Sequence, residues 1–206
     1  MDGGGGQIAW GAGNRWSRPE SGNLVAGPAR LDLFADGGAL MSTTTTAFGQ
    51  TGHVFERVVD PPVALLTTWF RLETLAPVHN ERDYEAWMSS IEHIHTTAGF
   101  AQPDWGGDDW PTPMTLDQNL ADLEKHRREF VAGEAFAYSV LDGDDVIGCV
   151  YIDPAGSGAA DAMVRSWVRA SRAERDLDLA VEIDLWLREA WPLRSRRWPG
   201  RPALGS

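Results

Sequence analysis

Two stretches of this chain carry residues able to do chemistry. The first is the passage Ser166-Trp167-Val168-Arg169, which runs through Ala170 and Ser171 into Arg172-Ala173-Glu174-Arg175-Asp176-Leu177-Asp178. A strand feeding a helix N-terminus is where many α/β proteins hold a phosphate-bearing cofactor, because unpaired N–H groups and the helix dipole both favour an anion. Arg172 and Arg175 have the charge to neutralise a phosphate. The junction contains no glycine, and Glu174, Asp176 and Asp178 bring carboxylates to the same place. Acids in a first helical turn stabilise the helix by themselves. Ser171, with Glu174 three residues on, reads as a capping box. A helix start satisfied by its own acids, with Arg172 paired to Glu174 or Asp176, is therefore the competing account.

The second stretch is Glu92-His93-Ile94-His95. It is poor as a metal site, because His93 and His95 are two apart on a helix and diverge. Cys149 sits in the apolar run Val146–Ile152 and reads as a buried strand thiol. The chain shows no P-loop, no zinc-spaced Cys/His pattern and no nucleophile elbow.

The elements that must position these residues are legible from residue 54 onward. Val54–Val59 reads as a short strand closed by Pro61-Pro62, and Leu65–Leu75 as a β-rich strand. Asn80 reads as the N-cap of a helix with Asp83 three positions on. Tyr84, Trp87, Met88, Ile91 and Ile94 or His95 form its apolar stripe, and Gly99 ends it. Glycines and prolines punctuate a loop over 99–114. Thr115 and Gln118 then make a capping box for a helix with Leu116, Leu120, Leu123, Arg127 and Phe130 on one face, stopped by Gly133. Phe136–Leu141 and Val146–Ile152 read as a hairpin around Asp142-Gly143-Asp144-Asp145. A loop from Pro154 to Gly158 precedes a third strand, Ala162–Ala170. Its Met163, Arg165, Trp167 and Arg169 share one face, and Val164, Ser166 and Val168 the other. The next helix buries Leu179 or Ala180, Ile183, Leu187 and Ala190, and Trp191-Pro192 ends it. The remaining residues have room for one short strand.

The bulk numbers fit one domain. There are 206 residues, 43% of them hydrophobic, enough for a single core. A net charge of −12 repels nucleic-acid backbones and anionic membranes, so neither is an expected partner. A single cysteine excludes an intrachain disulfide framework. No apolar run is long enough for a transmembrane helix, and a signal peptide is not evident, so the expected location is cytoplasmic. Ten tryptophans are read first as packing residues and only then as ligand stackers. The expected division is an irregular N-terminal extension over 1–53, a folded domain over 54–199 and a tail over 200–206. Met41 stands as a second possible translation start.

The order strand, helix, helix, three antiparallel strands, helix, strand resembles the GNAT acyltransferase superfamily over about residues 65–198. Three phrases carry the resemblance: Leu72–Pro77 leading from strand to helix, Val146-Ile147-Gly148 with Tyr151 in the hairpin, and Ser166-Trp167-Val168-Arg169 ending the last strand. It implies an α+β fold, a mostly antiparallel central sheet flanked by helices. It also implies that the third strand of the run splays from its neighbour, pairs with the pantetheine arm of acetyl-CoA, and hands the diphosphate to the next loop. The residues so implied are Trp167, Val168, Arg169, Arg172, Ala173 and Arg175. The family's loop carries two glycines, and their positions fall on Glu174 and Asp176. The family's usual tyrosine acid has no counterpart after Tyr151, and Trp198 stands in that region.

Two functions follow. In one, acetyl-CoA serves as co-substrate for transfer to a small amine acceptor, with Glu92 and His93 implied as the catalytic base because their helix borders the family's acceptor cleft. A solvated helix end is the alternative for both residues. The acidic loop Asp104–Trp110 is then a lid over an amine, or simply a surface loop. In the other, the chain is a non-catalytic GNAT-like module binding a metabolite or a protein. Fifteen residues follow Trp191 (206 − 191 = 15), where the family adds a helix and two strands, so a homodimer supplying the missing wall is a further expectation.

Overall fold

A computed structural model describes residues 60–101, 110–155 and 160–205. The expected strand Val54–Val59, the N-terminal extension and most of the acidic loop lie outside the described residues.

Six strands form one sheet in the order β1 (Ala64–Leu66), β2 (Arg71–Thr74), β3 (Phe136–Asp142), β4 (Asp145–Pro154), β5 (Ala162–Val168) and β6 (Arg196–Arg197). All neighbours are antiparallel except β5 and β6, which run parallel. The helices are α1 (Asn80–Met88), α2 (Ile91–Thr96), α3 (Leu116–Ala132) and α4 (Asp176–Ala190). Short 3-10 helices precede α1 (Pro77–His79) and α4 (Ala170–Arg175).

Alternation along the strands feeds two apolar layers. Phe136, Tyr138 and Val140 of β3, with Val150, Ile152, Val164 and Val168, pack against Leu179, Ala180, Ile183, Trp186 and Leu187 of α4. On the other face Ala137, Leu141, Cys149 and Trp167 meet Ala86, Trp87, Ile94, Phe100 and Leu123. Gly148 lets β4 and β5 close up. A Cβ there would lie 2.1 Å from the Trp167 carbonyl oxygen.

Several expectations hold to the residue. The Thr115 hydroxyl accepts from the Gln118 N–H at 3.2 Å, and the Gln118 side chain accepts from the Thr115 N–H at 2.8 Å. Gly133 ends α3 at φ 70°, with Glu134 N–H reaching the Glu129 carbonyl at 2.9 Å. Gly143 turns the β3–β4 hairpin at φ 58°.

Others are corrected. Leu65–Leu75 is not one strand but the hairpin β1–β2. The Thr67 hydroxyl donates to the Phe70 carbonyl and accepts from its N–H, closing a turn the apolar pattern conceals. The helix from Asn80 breaks at Ser89-Ser90, where both hydroxyls donate back to the Ala86 carbonyl, at 3.0 and 2.8 Å. Asn80 and Asp83 cap nothing. Asn80 accepts from Asn119 Nδ2 at 2.9 Å, and Asp83 is buried between α1 and α3. On α3 the inward face is Asn119, Leu123 and Phe130, while Leu116 and Arg127 are exposed. On α4, Ala190 is exposed, and Asp184 and Trp186 are buried instead.

Candidate functional site

The parallel pair defines the place to look. β6 pairs with β5 only at Ala162–Arg196 and Met163–Arg197. Beyond Met163 the strands part, and β5 runs on through the 3-10 helix into α4. The Ser90 hydroxyl at the α1–α2 break accepts from the Ala170 N–H at 3.0 Å, so α2 is seated beside this junction.

The chain itself closes the opening. After β6, Pro199 and Gly200 lie against Ala98 and Gly99. A Cβ on Gly200 would stand 3.0 Å from the Ala98 Cβ, and one on Gly99 would stand 3.3 Å from Arg165 Cγ on β5. Arg201, almost fully buried, then donates to both carboxylate oxygens of Asp176, at 2.8 and 2.7 Å. Asp176 is the first residue of α4. The anion site at this helix start is thus met by a side chain whose own counter-ion comes from residue 201. The same strap is anchored a second time. Asp184 on the inner face of α4 accepts at Oδ1 from Arg196 Nε and Trp198 Nε1, both at 3.0 Å, and at Oδ2 from Arg188, also at 3.0 Å. Burial pushes the Asp184 carboxyl up, but the bonds from Arg196, Trp198 and Arg188 outweigh it and hold it below its usual range.

The residues singled out from sequence are distributed around this closure. Trp167 is fully buried, with its ring 6.2 Å from Trp110. Val168 faces the α4 layer. Arg169 donates its backbone N–H to the Ile147 carbonyl at 2.7 Å, and its guanidinium lies 3.7 Å from Glu85. Arg172 pairs with Asp142 at 2.8 Å, not with Glu174 or Asp176. Arg175 reaches Asp178 at 3.3 Å and stacks over Trp69 at 5.2 Å. Ala173 is exposed. The expected capping box does not form: Ser171 lies within the 3-10 helix, α4 starts at Asp176, and its N-cap Arg175 makes no side-chain cap bond.

Glu92 is exposed on α2. His93 is half-buried, and its Nε2 is buried with no hydrogen-bond partner among the described residues. Neither residue is joined to Arg169, Arg172 or Arg175 by a hydrogen bond or ion pair among the described residues.

A coenzyme A diphosphate needs free N–H donors and a close backbone approach. At this junction the Ala170 N–H is taken by Ser90 and the Arg172 N–H by the Arg169 carbonyl at 2.8 Å. The first turn of α4 carries the Asp176 carboxylate, and Arg172 is committed to Asp142. These residues do not fit the diphosphate.

Two further polar clusters were not legible in sequence. Ser139 Oγ lies 2.9 Å from His79 Nδ1, and His79 Nε2 lies 3.2 Å from Glu73 Oε2. The residue types suit acyl transfer, but Ser139 is fully buried and its histidine contact is through Nδ1, the reverse of the hydrolase arrangement. Burial holds His79 below its usual range despite Glu73. The second cluster lies between α1, α3 and β4. Asn119 Nδ2 donates to Asp83 at 3.1 Å, and Trp87 Nε1 donates to Asn119 Oδ1 at 2.9 Å. Burial raises Asp83 to about 6, against the pull of Asn119, with Asp122 adding to the rise and His126 opposing it. Burial also pushes the Cys149 thiol and the Tyr151 hydroxyl well up, so neither is a ready nucleophile or base. A surface hollow of about 200 Å³ lies over Thr67–Arg71 and Leu141–Gly143, beside the Arg172–Asp142 pair. Among the described residues no group of three or more His, Cys, Asp or Glu side chains is placed to hold a metal. No helix among them is long and apolar enough to cross a membrane.

No family model matches the chain. A search of curated proteins also finds no match. Solved structures do align. The acetyl transferase of Salmonella typhimurium that modifies the N-terminal serine of ribosomal protein L7/L12 aligns at 10% identity and TM-score 0.48, over 66% of this chain and 71% of that one. The ribosomal-protein-S5-alanine acetyltransferase of Vibrio fischeri aligns at 13% and 0.48, over 66% and 72%. Mycobacterium smegmatis RimJ in complex with CoA-disulfide aligns at 16% and 0.47, over 62% and 60%. The element order expected from the sequence is present: strands and helices first, an antiparallel run β3–β4–β5, then α4 and a parallel β6. The fold is α+β, a mostly antiparallel six-stranded sheet flanked by helices. In this chain the junction from β5 to α4 is occupied by the chain's own residues, Ser90 and Arg201 among them.

Proposed function

We propose that this chain is a GNAT-like module that binds a metabolite or a protein partner without transferring an acyl group. The observation that carries this reading is the bidentate Arg201–Asp176 pair at the start of α4, standing where a diphosphate would need donors. In this reading the domain expected over 54–199 works together with the strap that Arg201 anchors, and its setting is the cytoplasm. Isothermal titration of the full chain with acetyl-CoA tests it. The expected result is no heat up to millimolar ligand; saturable binding overturns the reading.

A second reading has one observation in its favour. His93 Nε2 is buried without a hydrogen-bond partner among the described residues. If the strap over 198–205 swings away, Glu92 and His93 would be the groups to take a proton from an acceptor amine, small or at a protein N-terminus, with acetyl-CoA as donor. Thiol release from acetyl-CoA that disappears in His93→Ala but leaves the fold intact supports this second reading against the first.

A further inference from the structure

Helix α4 buries one face against the sheet and turns another outward. On that outward face Leu177, Val181 and Leu185 recur every four residues and are 61%, 39% and 45% exposed. Side chains four apart stack along one line of a helix. Scattered exposed aliphatics are ordinary, but three in one line make a stripe that marks an interaction surface.

One pair of opposite charges stands symmetrically about its centre, the acid in the 3-10 turn that leads into α4 and the base in the last turn of α4. Glu174 precedes Val181 by seven residues and Arg188 follows it by seven. Arg188 is half exposed and already held in place by Asp184 at 3.0 Å.

We propose that this face of α4 pairs antiparallel with the same face of a second copy, with the two-fold axis at Val181. In a two-fold contact a residue some positions before the axis meets the residue the same distance after it. Leu177 then meets the partner's Leu185, and Glu174 meets the partner's Arg188, so the apolar stripe and this one charge pair are both complementary. A parallel pairing would set Glu174 against Glu174. The contact spans three turns of one helix and falls short of the roughly 1,600 Å² of a standard interface. The dimer is therefore reversible.

Sedimentation velocity on the full chain across a micromolar to near-millimolar series tests the pairing. The expected result is a concentration-dependent shift from 22.6 kDa toward twice that mass. Val181→Glu is expected to abolish the shift with an unchanged circular dichroism spectrum. Val181→Cys is expected to cross-link to itself under oxidation, since a residue on the axis meets its own copy. Leu177→Cys alone does not, but cross-links when mixed with Leu185→Cys protein. The native Cys149 is buried and does not compete. A monomer at every concentration overturns the proposal, whether the stripe is bare or covered by the chain's own residues. So does a dimer that survives Val181→Glu, or self-cross-linking of Leu177→Cys equal to that of Val181→Cys.

Discussion

Replacing Asp184 with asparagine keeps the shape of the side chain and removes its charge. The change strands Arg196, whose side chain is only 3% exposed, beside a group that no longer balances it. Removing one member of a buried ion pair costs about 3–5 kcal/mol, because the remaining charge stays desolvated. The bond to Arg188 adds little, since that guanidinium is half exposed and screened. Against a total stability of about 5–15 kcal/mol, the loss is large, and for a domain of this size it lowers the melting temperature by roughly 10 °C. Urea unfolding at neutral pH measures it directly. The acid side gives an independent check. The folded Asp184 carboxyl sits below its usual range, so its contribution is present above the unfolded carboxylate pKa and is lost as pH falls through the folded value. Wild type and Asp184→Asn should therefore differ most at neutral pH and converge in acid. A neutral-pH cost under about 1 kcal/mol, or a difference that persists unchanged into acid, would refute the reasoning.

Three other outcomes follow from the same structure. Arg201→Ala should leave the core folded while raising hydrogen exchange across 198–205, read by mass spectrometry; unchanged protection means Asp176 does not hold the strap. Gly148→Ala should destabilise by about 3 kcal/mol or more, since its Cβ meets a backbone carbonyl at 2.1 Å and β4 must part from β5; a near-neutral melting curve counts against that packing. Burial lifts Asp83 to about 6, so ionising it opposes folding, and stability should fall as pH rises from about 4 through 6, by about 3 kcal/mol in all. Asp83→Asn should flatten that slope, and parallel pH profiles for the two proteins would show that Asp83 titrates normally.

Much of the fold could be read along the chain because its signals are local. The Thr115–Gln118 box, the positive-φ glycines at 133 and 143, and the period-two alternation of β3 to β5 each lie within a few residues. The failures come where a hydroxyl or a distant charge decides. Ser89 and Ser90 interrupt an unbroken apolar stripe by bonding to Ala86, and Thr67 folds one β-rich run into two strands. Ser171 and Glu174 match a capping box in letters, yet both lie in a 3-10 segment with a non-helical Arg172, and the α-helix begins at Asp176, which Arg201 holds from twenty-five residues on. Asp184 with Arg196, and His79 with Ser139 sixty residues away, leave no local pattern at all. The closure over the β5–α4 junction was thus not legible from sequence.

The double anchoring of the strap also bears on when α4 can settle. Asp184 on the inner face of that helix finds two of its three donors at Arg196 and Trp198. A growing chain that has reached only Ala190 carries a helix whose inward carboxylate lacks both. Docking it on the sheet at that stage means burying a carboxylate that only the half-exposed Arg188 balances. The α1–α3 side needs nothing from residues 196–198 and is free to condense earlier. The two faces of the sheet should therefore close in order during synthesis, and any fragment that stops short of Trp198 should leave the α4 face open.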